Sequence, residues 1–140
     1  MPSRDSEDDL EVLTVAGASL LGDAIAGARR FARAHLLGPR DEARLCIIVE
    51  EIVANLVEHG GHDPAEPVRI RLERLGNAIS LAVEDRGAPF DPRHAADDRE
   101  VPDRGGGAGL RLVRAWSTIT GYETSGGGNR LSLSLPVSGG

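Results

Sequence analysis

The chain contains no lysine; all sixteen of its basic residues are arginine. Phosphate-binding loops that depend on a lysine ammonium are therefore excluded, and so is Schiff-base chemistry. Any phosphate here must be held by backbone amides, arginine or a metal. Cysteine is almost absent too. Cys46 stands alone, so no internal disulfide can form, and its place in an apolar segment suits a small buried hydrophobe. Aromatic residues make up 3% of the chain and the net charge is -6. That combination offers neither the basic face nor the stacking platforms of a nucleic-acid binder. No apolar run approaches the roughly eighteen residues of a membrane span, and the acidic start does not resemble a secretory signal. A cytoplasmic setting is expected.

What is present is enough for one domain. A chain of 140 residues, 40% of them hydrophobic, can bury roughly two-thirds of its unfolded surface without staples. Residues 1–9 are polar and aperiodic and read as a flexible tail. The domain then runs from Leu10 to Val137, with 138–140 as a frayed end. Leu10–Ala16 reads as an edge strand. Leu20–Leu37 has helical spacing, with Ser19 or Asp23 available to cap it and Gly38-Pro39 to end it. Arg29, Arg30 and Arg33 cluster in its second half, as a solvated face or a partner surface.

The central stretch runs from Glu42 to Gly61, with Asp41 as a candidate N-cap. Leu45, Val49, Ile52 and Leu56 form an apolar stripe widened by Ile48 and Val53. Glu51, Asn55 and His59 follow one another at four-residue intervals. Such a line drifts only about 40° per step, so it forms a polar ledge beside the buried stripe. A carboxylate can accept a proton. An amide oxygen suits a hard cation such as Mg2+, which prefers oxygen ligands and keeps waters.

Beyond it, Val68–Leu75 and Ala78–Asp85 alternate apolar and polar residues around a Gly76-Asn77 turn, as a hairpin with one covered face does. Arg86–Gly107 is too long and too polar for an ordinary connection. Ala108–Ser117 reads as a short helix, and Thr118–Thr124 and Asn129–Val137 as two closing strands. The order β-α-α-β-β-α-β-β predicts a two-layer α/β sandwich of the α+β kind, with a mixed, mainly antiparallel sheet and three helices on one face.

Two further stretches give the ledge a purpose. In EDRGAPFDP, Asp85 ends a strand and Gly87 follows two residues on. A carboxylate there can accept a hydrogen bond from the exocyclic amine of adenine, where guanine offers an acceptor instead. In RGGGAGLRL, Gly105, Gly106, Gly107 and Gly109 lead into a helix. Glycine-rich backbone at a helix start presents several N–H groups toward an anion.

Taken together, EEIVANLVEH, DRG and GGGAGL resemble the N, G1 and G2 boxes of the GHKL-type, histidine-kinase-like ATPases. The wording of EDRGAPFDP, GGGAGLRLVRAW and GGGNRLSLSLP is similar to the bacterial anti-sigma factor serine/threonine kinases within that family. The resemblance covers nearly the whole chain. It implies ATP and Mg2+ as cofactors, Glu51 as general base, and Asn55 as the metal ligand. It implies Asp85 as the adenine-binding carboxylate with Gly87 making room. Gly105, Gly107, Gly109 and Leu110 would lie along the phosphates, His59 would support the site from its edge, and Ala88–Gly106 would be an ATP lid. It further implies transfer of the γ-phosphoryl group to a serine of a STAS-type anti-anti-sigma protein, sequestration of a sigma factor, and a possible homodimer. The lid departs from the family in its acidity, with Asp97, Asp98, Glu100 and Asp103 set against Arg93, Arg99 and Arg104. A non-catalytic nucleotide switch acting through protein contact is the competing expectation. A sensor histidine kinase would need a phosphoacceptor helix before residue 10, and none is expected.

Overall fold

A computed structural model describes residues 10–58, 63, 65–87 and 106–138, side chains at 106–108 and 110 excepted. The elements follow the order β1 (Leu10–Val15), α1 (Leu20–Ala34), α2 (Pro39–Glu58), β2 (Val68–Leu75), β3 (Ala78–Asp85), α3 (Gly106–Trp116), β4 (Thr118–Ser125) and β5 (Gly128–Pro136). The five strands lie side by side in the order β1-β2-β3-β5-β4, and all four pairings are antiparallel.

Alternation decides which face of the sheet is buried. Val68, Ile70 and Leu72 of β2, Ile79, Leu81 and Val83 of β3, and Leu131, Leu133 and Leu135 of β5 all enter the core. Against them pack Phe31 of α1 and Leu45, Ile48, Val49, Ile52 and Val53 of α2. Each such side chain removed from water contributes about 1.5–3 kcal/mol. The other sheet face carries a cross-strand ladder, Thr14–Arg69–Glu84–Arg130–Glu123, in which neighbouring charges oppose.

Gly27 explains how closely α1 approaches β1. A methyl group there would stand 2.6 Å from Cδ1 of Leu13, so a larger residue would displace the Leu13 side chain from between helix and strand. The three arginines of α1 have structural partners. Arg29 and Arg33 reach Glu42 of α2 at 3.5 and 3.3 Å, and Arg30 reaches Glu11 of β1 at 2.9 Å. All three are largely exposed, so each pair contributes only a fraction of a kcal/mol.

Most boundaries fall within a residue of the sequence expectation, and three that differ by more have a physical reason or bear on the site. First, α1 ends at Ala34 rather than Leu37. Leu36 takes a left-handed φ of 54°, its N–H donates to the Arg33 carbonyl, and the Leu37 N–H donates to that of Ala32. This is a Schellman closure, whose left-handed position usually falls to glycine. Second, α2 begins at Pro39, so Gly38-Pro39 starts this helix as well as ending the previous one. Proline suits the first helical position because its missing N–H has no partner to lose. Asp41 is therefore not an N-cap. It lies inside the first turn, buried, and its Oδ2 accepts from both the N–H and the hydroxyl of Ser138 at 2.9 Å. Ser138, grouped by the sequence reading with the chain end, is thereby tied to the start of α2. Third, α3 begins at Gly106, two residues earlier than expected.

The Leu36 side chain is 89% exposed, so it returns little packing for its backbone strain. Leu36→Gly is expected to raise stability by about 1 kcal/mol, seen as a higher urea midpoint with an unchanged slope.

Candidate active site

The Asp41–Ser138 bonds fix the direction of the site. They hold the start of α2 at the end of the sheet where Pro136 pairs with Ala78. From Asp41, Asn55 lies roughly 21 Å along the helix. From Ala78, Asp85 lies roughly 23 Å along β3. At the other end, Val53, Ala54 and Val57 of α2 line a cavity with Gly17 and Ala18, which follow β1 where β2 starts and β3 finishes, so the polar ledge of α2 and the carboxylate of β3 reach the same end of the molecule.

The third segment comes back toward that end. Arg44 of α2 lies over the Trp116 ring at 5.0 Å from its centroid, while Glu51 of α2 meets Gly109 of α3. Moving two turns up one helix means moving two turns down the other, so α2 and α3 run antiparallel. The glycine-rich start of α3 consequently points along the ledge. The contact at Gly109 is intimate. A methyl group on its Cα would lie within the van der Waals envelope of Oε1 and Cδ of Glu51, and 3.0 Å from its Cγ.

Asn55 is buried, and its Nδ2 donates to the Glu51 carbonyl at 2.6 Å. With the amide nitrogen committed to the helix, Oδ1 is the free end of the group, and no donor among the described residues is recorded on it. A buried, oriented carbonyl oxygen beside a carboxylate fits a hard divalent cation that takes its remaining ligands from phosphate and water.

Asp85 and Asn129 arise from the same strand arithmetic. Asp85 is two residues from Val83 and Asn129 two from Leu131, so both face the helices, and the two residues are directly paired across β3 and β5. Both are buried. The Gly87 N–H donates to Oδ2 of Asp85 at 2.7 Å. The amide of Asn129 donates to the Gly87 carbonyl at 2.8 Å and to Oδ2 of Asp85 at 3.3 Å. Gly87 is therefore part of a small network that fixes the carboxylate as an acceptor. Asn129 was missed by the sequence reading. Its one local signal was its position at the start of a strand beside a turn.

Of the other expected site residues, Gly107 and Leu110 fall in the first two turns of α3, with the Leu110 side chain outside the described residues. His59, Gly105 and the lid positions from Ala88 to Gly105 also lie outside them. No cluster of three or more His, Cys, Asp and Glu residues suited to a metal occurs among the described residues. A cavity of about 500 Å3 opens on the other face of the sheet among Thr14, Arg69, Glu84, Arg130 and Glu123, and reaches Asp85 and Asn129 at the strand ends.

Burial raises the Glu51 carboxyl above the ordinary carboxylate range, and repulsion from Glu50 and Glu58 adds to it. Both effects disfavour the charged form, which makes Glu51 a better proton acceptor than a solvated glutamate.

The histidine kinase-like ATPase domain family matches this chain over residues 15–135. The chain belongs to that family. A serine/threonine-protein kinase, BtrW of Bordetella bronchiseptica, is 32% identical over 96 residues, covering 64% of this chain and 66% of BtrW. The C4-dicarboxylate transport sensor protein DctS of Rhodobacter capsulatus is 28% identical over 106 residues, which span 65% of this chain but only 16% of DctS. A chain of the SiaB–SiaC complex from Pseudomonas aeruginosa shares the fold with a TM-score of 0.62 at 13% identity, with 98% of this chain and 95% of that one covered. The structure of the RsbU and RsbW domains of a Mycobacterium tuberculosis protein superposes with a TM-score of 0.61 at 18% identity, over 91% of this chain and 33% of that one. As a member of this family, the chain carries an ATP-binding type of domain. No described helix is long and apolar enough to cross a membrane.

The raised Glu51 carboxyl has a consequence for stability. In the unfolded chain it titrates near the usual value; in the fold it titrates higher. Its charge therefore costs nothing below the unfolded pKa, and stability is lost as pH rises through the folded one. Glu51→Gln is expected to melt higher than the parent at pH 7, with the gap closing as the pH approaches about 4, by calorimetry across that range.

Proposed function

We propose that this chain is an ATP-dependent protein serine kinase acting as an anti-sigma factor, carried by one domain from Leu10 to Val137. The observation that carries the reading is the meeting of Glu51, one helical turn from a buried Asn55, with the glycine-rich start of α3. A proton acceptor, a cation-binding amide oxygen and a row of backbone donors then share one crevice.

Asp85 accepts the hydrogen bond of the adenine amine, held in orientation by Gly87 and Asn129. The N–H groups at the start of α3, with Gly105, Gly107 and Gly109 allowing close approach and Leu110 behind them, bind the phosphates. The positive end of the helix dipole acts at the same place. Asn55 offers Oδ1 to Mg2+, and a supporting role is assigned to His59 from its place in the motif. Bound Mg2+ would neutralise charge on the β- and γ-phosphates. Glu51 takes the proton of an incoming serine hydroxyl as the new oxygen–phosphorus bond forms and the bond to ADP breaks. Most of the acceleration in such a transfer comes from positioning and charge stabilisation.

The serine belongs to another protein. The reading assigns it to a STAS-type anti-anti-sigma partner, with a sigma factor as the sequestered partner and a homodimer as the working form in the cytoplasm. The kinase name of BtrW supports the activity. The acidic net charge supports action through proteins rather than through nucleic acid.

Labelled ATP, Mg2+ and a purified anti-anti-sigma candidate test this directly. Label is expected on a partner serine, with Glu51→Gln lowering the rate by about 10²–10⁴-fold while ATP still binds. ATP binding without transfer to any partner would instead mark a nucleotide-dependent contact module. Asp85→Asn replaces a pure acceptor by an amide and is expected to weaken ATP binding about ten- to a hundredfold, read by titration calorimetry.

A further inference from the structure

We propose that Gly109 is a positioning residue for Glu51: the missing side chain leaves the space in which the carboxylate rests, so that the backbone of α3 sets where the proton acceptor stands. This deepens the kinase reading and rests on it for its catalytic meaning, though not for its geometry.

Gly109 is buried, and the three atoms nearest to a Cβ there all belong to Glu51, from Cγ to Oε1. Glycine is not needed there for a left-handed backbone, since its φ lies outside that region. Helix propensity argues against glycine, which costs about 1 kcal/mol relative to alanine inside a helix. The position therefore carries a helix-weakening residue where a side chain would collide with Glu51.

Which partner would yield to a methyl group can be decided. The same face of α3 is anchored one and two turns further on by Val113, fully enclosed in the core, and by Trp116 beneath the Arg44 guanidinium. The carboxylate of Glu51 is the far end of a flexible side chain. An added methyl group would thus swing the carboxylate aside and leave the helix in place. Alanine is also the better helix former, so the substitution separates the position of the acceptor from the integrity of the fold. A misplacement of about 1 Å is enough to cost some 10²-fold in rate.

The experiment compares the parent with Gly109→Ala, each also in the Glu51→Ala background, whose side chain stops at Cβ and clears the added methyl. For Gly109→Ala, kcat is expected to fall by about tenfold or more, with a smaller loss of Mg-ATP affinity and a melting temperature unchanged or higher. In the Glu51→Ala background the same methyl is expected to cost little of the residual rate. Equal losses in both backgrounds, or a loss confined to nucleotide affinity, would show that Gly109 acts through the phosphates alone and would overturn the proposal. A readout independent of turnover is the carboxyl carbon NMR signal of Glu51. It is expected to move in Gly109→Ala while those of Glu50 and Glu58 stay, and an unmoved Glu51 signal would overturn the proposal even in a chain that transfers no phosphate. A parent that binds ATP but labels no partner refutes the kinase reading alone, and the NMR comparison still decides the contact.

Discussion

Helix α2 must bury one face and keep a polar line at the margin of that face, and the rest of the structure follows from this constraint. Ile48, Val49, Ile52 and Val53 are drawn against the sheet. Glu51 and Asn55 cannot then escape into bulk water. Asn55 meets the cost of burial by donating to the carbonyl one turn back. Glu51 meets it only in part, and its carboxyl titrates high as a result. The reactivity assigned to the site is the residue of an incomplete burial, kept tolerable because α3 leaves a gap at Gly109.

The sheet supplies the second half by the same logic. Period-two alternation carries Asp85 and Asn129 to the inner face at the strand ends, where the apolar core gives out. Each is buried and each finds a partner in the other or in Gly87. Polar groups set on rigid elements at the rim of a core are pre-organised. Little reorganisation is left for a ligand to impose on them.

Much of this was legible in the sequence because it is local. The strand alternation of Val68–Leu75 and Ala78–Asp85, and the four-residue spacing of Glu51 and Asn55, specify faces without any long-range information. What was misread depended on distant partners. Asp41 resembles a cap, yet its acceptors are satisfied by Ser138, 97 residues away. Asn129 looks like a turn residue until register sets it opposite Asp85, 44 positions earlier. The apolar pattern of α1 runs on through Leu36 and Leu37, while the backbone turns left-handed at Leu36 to close the helix. Proline at position 39 was read only as a stop, although it also suits a start. The contact of Gly109 with Glu51 was not legible either, because nothing nearby in sequence names Glu51 as its neighbour.

The absence of lysine sharpens the account. With no lysine ammonium available, any bound phosphate must be met by backbone N–H groups, by arginine or by a cation. The most direct measurement is a crystal structure with Mg2+ and a non-hydrolysable ATP analogue. The account predicts the adenine amine on Asp85, the cation on Oδ1 of Asn55, and the γ-phosphate between Glu51 and the start of α3. A nucleotide seated instead in the arginine- and glutamate-lined cavity on the opposite face of the sheet would contradict it.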